Sequence, residues 1–228
     1  MKTNFAIRTL GRFSVPRLAY SALAVAFVLL ALPTGLVALG EGAGHLSLPF
    51  NLHLTDQRLP GVFKLHMLAS GAVLVLIPLV IAVRRYRRWH RPLGRIAAVL
   101  VVLGALSSFP VAWESSSVTL ARAGFAAQGV AWLSLVVAGV IAIRRKDMQR
   151  HAELMLAMAA VASGAIWVRL TTAVATSYDL PFDAIYGCAA WAGWIVPWAF
   201  VSIAGTGMLT GGPARASKRP LASGPSLT

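Results

Sequence analysis

Four side chains in this 228-residue chain have the chemistry to hold a cofactor or an anion: His66, His90, His151 and Arg169. An imidazole nitrogen can ligate a haem iron or another metal. A guanidinium can clamp a carboxylate, a haem propionate or a quinone oxygen with paired N–H donors. All four stand in or beside long apolar runs. An ionisable group at that depth costs several kcal/mol unless it is paired or faces a polar cavity. Arg169 therefore has two readings: it snorkels outward to pair with Glu114, Asp179 or Asp183, or it clamps an anionic ligand. His66 either packs with a hydrogen bond to a neighbouring helix carbonyl or ligates iron. His90 and His151 either organise helix starts at the membrane edge or form a bis-histidine pair. His45 and His53 fall in a loop; they contact water or complete a site.

Other chemistries lack their residues. Cys188 is the only cysteine, so neither an intrachain disulfide nor a cysteine-based metal site can form. There is no H-E-x-x-H, no phosphate loop, no nucleophile elbow and no dinucleotide fingerprint. No metal centre is expected. Trp191, Trp194 and Trp198 share one helix face, where they either pack or wall a flat cofactor.

Helix geometry relates the four residues. At 100° per residue, His151 and Arg169 lie on one face, with Met155, Met158 and Ala162 near the same line. The stripe would run about 27 Å. By the same rise Arg169 is roughly 10–14 Å from the outer end of its helix, and His66 about 9–10 Å from the start of its own. The two residues could then share an outer-side cavity between the second and fifth spans, extended by the sixth. His151 would stand apart at the other membrane edge.

The elements that must position these residues are transmembrane helices. The chain is 57% hydrophobic and only 12% charged, against roughly 25% charged in ordinary soluble proteins. Six apolar runs are long enough to cross a bilayer: about Leu18–Leu39, Leu59–Val83, Ile96–Trp113, Phe125–Ile143, His151–Tyr178 and Ala184–Leu209. The first follows a basic start, but it exceeds a signal-peptide core and is read as a retained helix that Pro33 and Gly35 kink or end early. The segment 40–58 reads as a polar loop. The fold class expected is an all-α integral membrane bundle of six transmembrane helices. Residues 1–17 form a basic N-terminus, 18–209 the membrane domain, and 210–228 a disordered tail rich in Gly, Pro, Ser and Ala.

The net charge of +14 would point to nucleic acid in a soluble protein. Here it sits in alternate loops. Residues 1–17, 84–95, 144–150 and the tail hold 4, 6, 4 and 3 Lys/Arg, or 17 of 21. The positive-inside rule then puts both termini in the cytoplasm. The six arginines of 84–95 fix orientation and touch anionic headgroups, with an anionic-ligand site as a secondary reading.

The order of these residues resembles a known family. A helix histidine, His66, precedes the run His90-Arg91-Pro92-Leu93-Gly94-Arg95. His151 with Met155 follows a basic loop, then come the inner Arg169 and Tyr186, Ala189, Trp191 and Trp194. This pattern, over about residues 60–205, is similar to the bacterial membrane-protein family known as domain of unknown function 2306. Two positions depart from it: Ala152 where a second arginine is usual, and the apolar Pro197-Trp198-Ala199-Phe200 in place of Asn and an acid. The resemblance implies a multi-pass bacterial cytoplasmic (inner) membrane protein and no particular reaction. Two functions stay open. One is a cytochrome-b-like redox protein, with haem b on His66 or on His90 and His151 and Arg169 on a propionate. The other is a non-enzymatic transporter, assembly or partner subunit. The partners expected are lipid with haem or a small anionic ligand, and no nucleic acid.

Overall fold

The computed structural model describes residues 17–204. Most of the basic start (1–16), the end of the sixth run (205–209) and the 210–228 tail expected to be disordered lie outside the described residues.

Within 17–204 the chain forms eight helices: α1 (Arg17–Gly42), α2 (Phe50–Arg58), α3 (Pro60–Ala82), α4 (Arg87–Glu114), α5 (Thr119–Arg144), α6 (Met148–Ala162), α7 (Gly164–Ser177) and α8 (Phe182–Ala204). Among the described residues six helical stretches are long and apolar enough to cross a membrane, with α6 and α7 counted as one. The all-helical six-span architecture expected from hydropathy is therefore present.

Neighbours in sequence pack as neighbours in space. α1 lies on α3, α3 on α4, α4 on α5, and α5 on both α6 and α8, while α7 packs on α8. The core is built from Val73, Ile77, Val101, Trp132, Val161 and Trp194, with many alanines between them. Small residues let backbones approach, a main source of helix attraction in lipid. At the α1–α3 contact, a Cβ on Gly35 would meet Gly71 O at 2.8 Å, and one on Gly71 would meet Gly35 O at 2.9 Å. Large apolar side chains such as Leu29, Val99 and Ile203 point outward, as a lipid-facing surface requires.

Three boundaries differ from the sequence expectation. α1 continues through Pro33 to Gly42, because ending a helix inside lipid would strand backbone carbonyls. The 40–58 segment is not all loop. α2 occupies its second half, and Leu48 and Leu52 pack with Ala38, Phe63 and Met67. α4 begins at Arg87 rather than Ile96, so four arginines of the basic segment sit on helix.

The fifth span is interrupted at Ser163, between α6 and α7. It is also the most enclosed: 56% of its apolar window is buried, against 17–33% in the other five. Ser163 Oγ donates to Ala160 O at 2.7 Å, competing for a helix carbonyl as serine does. Gly164 follows, a poor helix former. The Val161 carbonyl also accepts from Gln128 Nε2 of α5 at 2.9 Å. A Cβ on Gly164 would fall 2.5 Å from that nitrogen, so glycine is what admits the amide.

Candidate functional site

Three helix pairs are clasped in the same way. His90, Arg122 and His151 are each the fourth residue of their helix, α4, α5 and α6. Side chains near a helix start point back toward its N-terminus, which aims these donors at the end of the preceding helix. His90 Nδ1 lies 3.1 Å from Val80 O of α3. Arg122 Nε donates to Ala112 O of α4 at 3.1 Å, and its Nη2 donates to Trp113 O. His151 Nδ1 lies 2.9 Å from Gly139 O of α5. In each histidine contact the carbonyl can only accept, so Nδ1 carries the proton. His90 is thus held against α3 and His151 against α5.

His66 makes the same kind of bond deeper in the bundle. Its Nδ1 donates to Gly104 O of α4 at 3.0 Å, with Ser107 Oγ 3.4 Å away. Ser107 also bonds Leu103 O at 2.7 Å. The α3–α4 contact is tight at this level: a Cβ on Gly104 would lie 2.9 Å from Ser70 Oγ and 3.2 Å from Trp132 Cζ3. Ser70 Oγ and Trp132 Nε1 are buried without a partner among the described residues.

Arg169 pairs with Glu41, the penultimate residue of α1, and not with Glu114, Asp179 or Asp183. Nη2 is 2.6 Å from Oε2 and Nη1 is 3.5 Å from Oε1. The Glu41 side chain is 5% exposed and that of Arg169 34%. Glu41 stands at the end of α1, at the start of the 40–58 segment read as loop. Tyr186 lies within range of the Arg169 charge, beside Ser117. Its ring stacks on Phe182 at 5.4 Å and meets Phe125 edge-on at 5.5 Å.

Along the fifth span the two ends contact different helices. His151 faces α5, where Met155 reaches Gly139, whereas Arg169 reaches α1. His66 is fixed to α4 and Arg169 to α1. The tryptophans of α8 pack: Trp194 is 6.2 Å from Trp191 and 6.0 Å from Trp198 between ring centroids. Trp191 Nε1 donates to Leu120 O at 3.0 Å. Among the described residues no group of three His, Cys, Asp or Glu side chains gathers where it could hold a metal.

Sequence reasoning missed Glu41, Gln128 and Arg122 as bundle contacts. Gln128 carried a usable signal, since an amide inside an apolar run must find a partner. Ser163-Gly164 carried another, because such pairs mark helix kinks.

A search of curated proteins and of solved structures finds no match for this chain. A family model described as a predicted membrane protein, DUF2306, matches residues 63–204. His66, His90, His151 and Arg169 lie inside the match, and Glu41 lies before it. With more than half of its length matched, the chain belongs to the DUF2306 family of predicted membrane proteins.

Proposed function

We propose that this chain is a non-enzymatic partner or assembly subunit of a bacterial cytoplasmic membrane, with both termini in the cytoplasm. One observation carries the reading: each of the four residues able to hold a cofactor is bonded to another helix. Their chemistry is used to hold the bundle together. Two surface clefts support it as well. One lies among arginines at the start of α4, and the other is an apolar groove between α4 and α5; neither gives a solute a polar path across the bundle. Residues 1–17 and 210–228 are assigned to the cytoplasm by their basic charge.

Haem b is the second reading, and a specific feature favours it. A histidine whose Nδ1–H is held by a carbonyl keeps its Nε2 lone pair for a metal. His66, His90 and His151 all meet that condition. At His66 the Nδ1 side is taken by Gly104 O, so only Nε2 could meet an iron. The decisive measurement is the visible spectrum and iron content of detergent-purified protein from haem-supplemented cells, together with its size in mild detergent. The expected result is a colourless protein in a complex larger than one chain. His151→Ala should lower its unfolding free energy by about 1 kcal/mol, as loss of one interhelical hydrogen bond does. A Soret band that shifts on reduction and disappears in His151→Ala would replace this reading with the haem one. A monomer in every mild detergent would remove the partner role.

A further inference from the structure

The N-terminal end of α4 has two features side by side. Arg87, Arg88, Arg91 and Arg95, with Pro92, line a cleft of about 650 Å³. Arg87, Arg91 and Arg95 follow one another at successive turns, within about 80° of one helix face. Among the described residues the ion pairs are Arg150–Glu153 and Arg169–Glu41, so no carboxylate there neutralises this group. Arg88 lies over the Trp89 ring, 5.2 Å from its centroid, an arrangement suited to the headgroup level.

Further along α4, an apolar groove of about 400 Å³ opens between α4 and α5. Ala98 and Val102 form its α4 wall, and Val136 and Val140 its α5 wall. By helix periodicity Ala98 and Val102 fall within the arc of Arg87, Arg91 and Arg95. Arg144, at the end of α5, lines the groove's mouth on the arginine side. Val99 and Val137 are 59% and 48% exposed, so the groove opens to lipid. A charged cleft at the interface leads into an apolar trough on the same helix face. That is the amphiphilic shape of a phospholipid.

We propose that this surface is a binding site for an anionic phospholipid, its phosphodiester held by Arg87, Arg91 and Arg95 and an acyl chain lying in the α4–α5 groove. Guanidinium groups take phosphate oxygens with paired N–H donors, which makes them selective for phosphate over a diffuse negative surface. Basic pockets beside transmembrane helices are established headgroup sites. The groove distinguishes a lipid from a soluble phosphate, because only a lipid fills both parts. The site is independent of whether the bundle carries a cofactor.

The test uses the full chain in neutral detergent, titrated with phosphatidylglycerol, with phosphatidylcholine of the same acyl chains, or with inorganic phosphate. Thermal unfolding and lipid retained in native mass spectrometry are read together. Phosphatidylglycerol should raise the melting temperature and remain bound, while phosphatidylcholine and inorganic phosphate should do neither. The triple variant Arg87→Gln, Arg91→Gln, Arg95→Gln should weaken phosphatidylglycerol binding by about tenfold or more. Val102→Trp, which fills the groove and leaves the arginines intact, should weaken it too. Should the triple variant fail to insert, Val102→Trp alone decides. Equal binding of the two lipids overturns the proposal. So does stabilisation by inorganic phosphate that matches phosphatidylglycerol and survives Val102→Trp, which would make the cleft a soluble-anion site.

Discussion

Arg169 shows how a single costly residue is made tolerable in a membrane. Its charge is opposed by Glu41 at 2.6 Å, and the two partners differ in access to water. Removing Arg169 leaves a carboxylate only 5% exposed without its counter-charge, the expensive way to break an ion pair. Removing Glu41 leaves a guanidinium that can turn toward the rim. Arg169→Met should therefore cost about 2 kcal/mol and Glu41→Gln about 1 kcal/mol. Reversible unfolding in mixed micelles measures both, and a reversed order would refute the burial asymmetry. The arginine was legible in sequence as a residue needing explanation. Its partner was not, because Glu41 lies 128 positions away and just past an apolar run.

At the scale of elements, helix existence follows from hydropathy and helix contact follows from small residues. The six apolar runs specify helices because a bilayer leaves no other way to satisfy their backbone groups. Which faces touch depends on where backbones can meet. Gly35 and Gly71 bring α1 and α3 into backbone contact. Gly71→Ile should separate them and cost about 2 kcal/mol or more, with α1 becoming the first helix cleaved by protease in detergent. Protection of α1 equal to that in the unaltered protein would count against this contact. The break between α6 and α7 is also an element-scale outcome. An ideal helix puts His151 and Arg169 on one face, and at their two ends of the span they meet α5 and α1.

For the whole molecule, orientation is the property that charge governs. In the proposed orientation, which rests on 17 of 21 basic residues falling in alternate segments of the sequence, the α3–α4 and α5–α6 connections face the cytoplasm. With Cys188→Ser as background, Ser47→Cys should react with a membrane-impermeant maleimide in intact cells. Gln149→Cys should react only after the membrane is opened. The opposite pattern would invert the topology and move the arginine cleft to the other leaflet. The clasps at His90, Arg122 and His151 belong to this scale too, since each secures one connection of the chain.

Sequence alone determined the number of spans, the all-helical class and the residues whose burial must be compensated. Those follow from local composition and from the bilayer's demand that every backbone group be bonded within the chain. Tertiary structure alone decided the partners: Glu41 for Arg169, Gly104 for His66, Gln128 for the carbonyl of Val161. Partner choice depends on helix rotation, on the break at Ser163 and on which small residues let two backbones close, and none of these is a property of one segment read by itself.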